Sequence, residues 1–348
     1  MKKLLFTLIF LFSLAFLYGQ SKVDSLVQIG ISYHDNSEFD KAIEIYKKAL
    51  EIEPESAIAN YELAFTYMEM EDYENAIKYS DIVIQQKEDY ILAAYNIKGS
   101  SLDYLGKTEE SIELFEQAIE EFGGHYLLYY NVGVNYYRLE KYDEAEFAFF
   151  SALADNFNHA GSHFLLAQLK NDQNERIKSL LGLYFFLLIE PNTQRSEIAY
   201  ELLTQQLGGN VRVDEDDPKK ITIFVDSEHL DSEFSSAETM ISLLSASNFS
   251  EENKDKTAEE LFIHNTESLF TVLGIIFKEK EEKERQENLW NVAYIPFFYE
   301  LKQAGFIETL CYYISMSSND KAVEWLESNN EKVEDFINWL NSEKDNND

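Results

Sequence analysis

Residues 26–54 read LVQIGISYHDNSEFDKAIEIYKKALEIEP. Leu26, Ile29, Gly30 and Tyr33 recur at three- and four-residue spacing, so they share one face of a helix. The polar stretch Asn36-Ser-Glu-Phe-Asp40 interrupts that pattern and carries helix-capping chemistry. Ala42, Tyr46 and Ala49 then mark a second helix, which Pro54 closes. Gly30 lets the backbone of the second helix come close. Ala42 and Ala49, seven apart, form the stripe that packs back on the first. The stretch is a helix–turn–helix unit too small to bury its own apolar face.

The unit recurs. A second copy has Leu63, Ala64, Tyr67 and Ala76, with Ser80 and Val83 where the first has Tyr46 and Ala49. A third has Tyr95, Gly99, Leu102, Ser111, Phe115 and Ala118. A fourth has Tyr129, Val132, Gly133, Tyr136, Ala145, Phe149 and Ala152. A fifth, degenerate copy has Leu166, Ala167, Phe186 and Pro191; Lys170 replaces the aromatic, and Phe186 stands where alanine is usual. The small residues Gly30, Ala64, Gly99, Gly133 and Ala167 lie 34, 35, 34 and 34 residues apart. This pattern resembles the tetratricopeptide repeat, W-x2-L-G-x2-Y, A-x3-F, alanine and proline, with the tryptophan softened to leucine. The resemblance covers residues 23–193 and implies five units: 23–56, 57–91, 92–125, 126–159 and 160–193. It also implies an all-α fold, a right-handed superhelix whose stacked units share a continuous core.

In that family the first helices line a concave groove that holds a peptide or partner helix. The corresponding positions lie three before the small residue, one after it, and four or five after it. They are Tyr61, Phe65, Met68 and Glu69; Asn96, Ser100, Asp103 and Tyr104; Tyr130, Val134, Tyr137 and Arg138; and Phe164, Gln168, Asn171 and Asp172. The resemblance thus implies an aromatic, mildly acidic groove, in which Tyr and Phe give rigid anchoring area. Some family members grip a partner's C-terminal carboxylate with Lys, Arg and Asn on this face. Here Arg138 is the lone cation among these positions. A neutral or basic protein or peptide is therefore the expected partner.

Composition agrees. With 29 Lys+Arg against 64 Asp+Glu, the net charge is −35. That excludes a basic nucleic-acid footprint and a polybasic membrane patch. The chain is nevertheless 45% hydrophobic and 14% aromatic, which is ample for a core. Only 13 Gly and 4 Pro punctuate it, as long helices require. One cysteine, Cys311, allows no intramolecular disulfide.

The ends read differently. Lys2 and Lys3 precede an apolar run from Leu4 to Leu17, then Tyr18-Gly19-Gln20. This is the form of a signal peptide over residues 1–19, too short to span a bilayer. It predicts an exported protein, periplasmic or secreted, with no membrane insertion after cleavage. Residues 194–210 read as a capping helix ended at Gly208-Gly209-Asn210. Residues 211–348 read as a mostly helical domain of unassigned function. Within it Ile221–Val225 is a strand able to pair with Val211–Val213. Helices are predicted over Ser235–Ser245, Thr257–Lys280 and Phe306–Met316, with two short ones around Trp325 and Trp339. Another, kinked by Pro296, buries Leu289, Ala293, Phe297 and Leu301.

No catalytic constellation emerges. His159 and His163 have ligand spacing but lack an HExxH glutamate. Asp214-Glu215-Asp216-Asp217 lacks the glycine and terminal glutamate of a calcium loop. Cys311, among Leu310, Tyr312 and Tyr313, reads as a buried structural thiol. No cofactor and no metal are expected. The leading expectation is a non-enzymatic interaction scaffold in the bacterial cell envelope. The alternative is a glycan- or nutrient-binding accessory of an outer-membrane uptake system.

Overall fold

The computed structural model describes residues 22–87, 89–208, 211–214, 220–224, 233–250, 253–286 and 288–345. The signal-peptide reading of residues 1–19, the helix end at Gly209-Asn210 and most of the acidic stretch 214–217 lie outside them. The chain divides into two compact units, up to Phe157 and from Asn158 onward.

The first unit is four helix pairs. They are α1 (residues 22–35) with α2 (Phe39–Ile52), α3 (Ala57–Glu69) with α4 (Tyr73–Gln86), α5 (Ile91–Tyr104) with α6 (Thr108–Phe122), and α7 (Tyr126–Arg138) with α8 (Tyr142–Asp155). First helices also touch one another, α3 on α5 and α5 on α7. The small-residue logic is visible in atoms. A Cβ on Gly30 would lie 2.3 Å from the Tyr46 ring, and one on Gly99 2.2 Å from Phe115. Gly133 meets Phe149 in the same way, at 2.8 Å. In the second pair Ala64 brings its own Cβ, and the ring position is Ser80; both are fully buried. Ser111 Oγ donates to Gly99 O at 2.7 Å and accepts from Asn135 Nδ2 at 2.7 Å.

The turns within pairs differ from the expected side-chain capping. Only Asp72 caps its helix through a side chain, accepting from Asn75 N at 3.2 Å; Glu38, Lys107 and Lys141 do not. The closure comes from the backbone of the preceding helix. Ser37, Glu71, Gly106 and Glu140 all have φ between 57° and 75°, in the left-handed region. In the first turn Ser37 N donates to His34 O at 2.7 Å and Glu38 N to Tyr33 O at 2.9 Å. The same two bonds recur at 71–72, 106–107 and 140–141. This is the Schellman arrangement, which satisfies helix-end carbonyls without a capping side chain.

The second unit opens with the fifth pair, α9 (Ala160–Asp172) and α10 (Arg176–Ile189), joined by the same turn at Asn174 (φ 58°). The compact division at 157/158 thus lies ahead of the fifth pair. Eleven of the 14 residues of α10 are buried, because later helices cover its outer side. Those helices are α11 (Gln194–Gly208), α12 (Ser235–Ser247), α13 (Ala258–Glu279), α14 (Glu282–Arg285), α15 (Ile295–Gln303), α16 (Ile307–Ile314), α17 (Asp320–Ser328) and α18 (Asn330–Asp345). α10 packs on α11, α12 and α16. The Tyr184 and Phe298 rings meet at 5.7 Å, and Phe270 stacks on Phe298 at 4.5 Å. Gly182 of α10 stands against Ala167 of α9: a Cβ added to it would meet Ala167 Cβ at 2.9 Å. Lys170, only 2% exposed, is held by Glu175 at 2.7 Å and Gln173 at 2.9 Å.

Beyond α11, two expectations change in this unit. α11 itself packs on α10, as a cap of the last repeat does, and on α12. Buried Arg176 binds its final turn, Nε to Gln206 O at 2.7 Å and Nη2 to Leu207 O at 3.4 Å. The stripe Leu289, Ala293, Phe297, Leu301 is displaced by one residue: Trp290, Tyr294 and Phe298 are the buried set, with Leu301. A π-helical turn, Trp290–Tyr294, precedes Pro296 and adds the extra residue that rotates the face. The helix around Trp339 is not short but spans Asn330–Asp345. The hairpin forms as read, β1 (Val211–Val213) antiparallel to β2 (Ile221–Ile223), with Arg212 opposite Thr222. Cys311 is buried, and burial pushes its thiol up to about 12.

Candidate partner-binding face of the first helices

Ten of the sequence-derived site residues lie on α3, α5 and α7 of the first unit. Tyr61, Phe65, Met68, Asn96, Asp103, Tyr130, Val134 and Tyr137 are half-buried; Tyr104 and Arg138 are exposed. None has the full burial of the ring positions Tyr46, Phe115 and Phe149.

Two groupings form. Around α3, Phe39 stands edge-on to His34 at 5.2 Å, and His34 stacks on Phe65 at 5.0 Å. Phe65 lies parallel to Tyr61 at 6.4 Å, and Tyr61 stacks on Tyr90 at 5.0 Å. His34 Nδ1 is 2.9 Å from Thr66 Oγ1, which fixes the imidazole. The result is a file of five rings from α1 to the start of α5. Sequence reasoning missed His34 and Tyr90. His34 was legible: it lies four after Gly30, the position that Met68 holds relative to Ala64.

The second grouping joins α5 to α7. Arg138 pairs with Asp103, which also accepts from Thr108 Oγ1 at 2.8 Å. The guanidinium lies 5.9 Å from the Tyr104 ring, and Tyr73 stacks on Tyr104 at 5.0 Å. Asn131 Nδ2 donates to Asn96 Oδ1 at 3.0 Å. The cation of this face is thus already matched by a carboxylate. Near the first grouping the Glu62 carboxyl is raised, by burial first and then by the Asp35 carboxylate. Tyr130 turns toward Phe149 at 6.3 Å and Tyr137 toward Tyr142 at 6.1 Å. Rings with one face packed and amides beside them bind through area and hydrogen bonds, not through covalent chemistry.

Phe164 and Gln168 belong to α9 of the second unit. Phe164 is a correction: it is 9% exposed and packs on Phe186 at 4.7 Å, the ring standing where alanine was usual. Gln168 is half-buried.

The histidine pair does not converge. His159 Nδ1 meets Ser162 Oγ at 2.8 Å, whereas buried His163 meets the Tyr294 hydroxyl at 2.6 Å and stacks on Phe185. Burial first, then Arg195, lowers the pKa of His159. Among the described residues no three His, Cys, Asp or Glu side chains gather as a metal site. No described helix is long and apolar enough to cross a membrane.

Family models described as tetratricopeptide or TPR repeats match residues 30–71, 57–89 and 98–161. No curated protein matches the chain. Among solved structures, YrrB, described as a TPR protein with an unusual peptide-binding site, is 18% identical, with 55% of this chain and 96% of that chain covered and a TM-score of 0.39. PilF of Pseudomonas aeruginosa is 20% identical, with 54% and 85% covered and a TM-score of 0.47. PilW, described as a widely conserved type IV pilus biogenesis factor, is 16% identical, with 67% and 96% covered and a TM-score of 0.45.

Proposed function

We propose that this chain, which matches tetratricopeptide-repeat models over residues 30–71, 57–89 and 98–161, is a non-enzymatic scaffold whose first-helix face binds a peptide or partner protein. Repeats of this kind favour protein–protein interaction at the coarse level. The observation that carries the finer reading is the ring file of half-buried Phe65 and Tyr61 and exposed Tyr90, which offers stacked, rigid area at low entropic cost. The Arg138–Asp103 pair uses up the cation of this face, so a neutral or basic ligand suits it better than an acidic tail. Export rests on the Lys2-Lys3 and Leu4–Leu17 pattern and gives a periplasmic or secreted protein. Exposed tryptophan in a cleft would favour the glycan-binding alternative; Trp290 is buried, while Trp325, stacked on Tyr312 at 4.3 Å, and Trp339, against Phe297 and Phe306, are half-buried.

The test is affinity capture from envelope extract with the wild type and the Tyr61→Ala plus Tyr104→Ala double variant. The double variant recovers less of the specific partner. Equal recovery at equal folded concentration sinks the groove. A full-length product in the cytoplasmic fraction sinks export.

A further inference from the structure

The other side of α7 carries a second surface. Between α6 and α8 the first unit leaves a groove of about 520 Å3, floored by Tyr129, Val132 and Tyr136. Phe147 forms a wall and is 70% exposed, more than any other large apolar side chain among the described residues. Its position lies 14 after the small residue of its repeat. Glu44, Lys78 and Glu113 hold that position in the first three repeats, where it faces solvent. Only in the fourth is a charged, hydrated position of the first unit replaced by an aromatic one.

The rim is carboxylate. Glu116 and Glu120 stand on the α6 side, Asp143 and Glu144 on the α8 side, and all four are exposed. Glu116 accepts from the Tyr136 hydroxyl. None of the four has a salt bridge among the described residues. The nearby cation is Lys141, 5.7 Å from the Tyr136 ring, one positive charge against four negative. An apolar floor inside an acidic rim fits a side chain that is itself apolar along its stem and cationic at its head.

We propose that this groove is a second docking surface, for a basic amphipathic segment of a partner protein. A Lys or Arg stem lies along Val132 and Phe147, with its charge among the rim carboxylates, and a flanking apolar residue covers the exposed ring. The surface is separate from the first-helix face and stands or falls without it.

The probe is a fluorescein-labelled peptide of leucine and lysine at helical spacing, with a leucine–glutamate peptide as counterpart. Binding to the full chain is followed by anisotropy at physiological salt, and folding by circular dichroism. Phe147→Ser, an exposed position, weakens the leucine–lysine peptide about tenfold or more with an unchanged spectrum. Glu116→Gln plus Glu120→Gln weakens it clearly more than Asp24→Asn plus Glu51→Gln, which removes the same charge from the first repeat. Wild-type affinity in Phe147→Ser overturns the proposal. So does equal weakening by both charge pairs, which is diffuse attraction to an acidic protein. Equal binding of the leucine–glutamate peptide overturns it as well.

Discussion

The second helix of the first repeat and that of the fifth follow one pattern and end in opposite surroundings. α2 buries only Ala42, Ile43, Tyr46 and Ala49 of its 14 residues, with Phe39, Ile45 and Leu50 half-buried and the others exposed. α10 buries eleven of 14. The difference lies on the side away from the pair's own first helix. Glu44, Lys47 and Lys48 of α2 correspond in repeat position to Leu181, Tyr184 and Phe185 of α10. One set is solvated; the other is the centre of a helical unit that α11, α12, α13, α15 and α16 help to build. The repeat signature therefore fixes how two helices meet, and the residues it leaves unspecified decide what lies outside them.

The sharpest break of this comparison is Tyr184→Ala. Tyr184 is fully buried and shares a 2.7 Å hydrogen bond with Thr266. Its loss costs about 3–5 kcal/mol, whereas Lys47→Ala at the matching position costs about 0.5 kcal/mol or less. Denaturant unfolding followed by tryptophan fluorescence checks the first, because all 3 tryptophans lie in the second unit. Hydrogen exchange checks both.

Closure within a pair is probed next. Gly99→Ala places a Cβ 2.2 Å from the Phe115 ring, and Gly182→Ala places one 2.9 Å from Ala167 Cβ. Each costs about 1–3 kcal/mol by overpacking, seen as a lower denaturation midpoint. Equal losses in the two units support a common closure; a loss confined to Gly99 breaks it.

Acid separates the units by sign. Burial works to raise the Glu175 carboxyl, but the ammonium groups of Lys170 and Lys178 outweigh it and hold it below the usual range. Its contribution is present above the unfolded carboxylate value of about 4.3 and is lost as pH falls through the lower folded value. Glu62 is raised, so its penalty is present at neutral pH and is relieved as pH falls through the higher folded value. Glu175→Gln lowers stability at pH 7 and Glu62→Gln raises it, and both differences shrink toward pH 3. Unfolding curves at the two pH values decide.

The smallest effects belong to the turns. Glu140 holds φ 57° with a side chain that disfavours it, so Glu140→Gly stabilises by about 1 kcal/mol or less. Gly106→Ala, at φ 75° in open space, costs about 1 kcal/mol. Asn174→Gly in the second unit changes little, because asparagine tolerates this region. Thermal midpoints measure all three.

Much of the first unit was legible because its spacing repeats: 34 or 35 residues separate the small positions, and the helices follow. The left-handed turns were not, because four of the five are held by Ser37, Glu71, Glu140 and Asn174 and only one by a glycine. Bonds to the preceding helix set that backbone, and side chains do not announce it. Phe164 was misplaced because its neighbour at the alanine position is Phe186, and two large rings 4.7 Å apart make core. The face of the helix after residue 288 was misread because periodicity assumes 3.6 residues per turn, and the π turn at Trp290–Tyr294 breaks that count.

The ring and its missing partner, sixteen residues apart, have a consequence for how such a chain is copied. Gly30 answers Tyr46, Gly99 answers Phe115, Gly133 answers Phe149, and Ala64 answers Ser80. In these four pairs large meets absent, or small meets small, inside one helix pair. A duplication or crossover that carries a whole pair carries both halves of the match, so the interior volume balances wherever the segment lands. A crossover that cuts between the two positions joins ring to Cβ, or glycine to serine, and leaves either a clash or a hole. The inheritable unit of this architecture is the hairpin, and its coding boundaries are expected to fall in the linkers near Pro54 and His125.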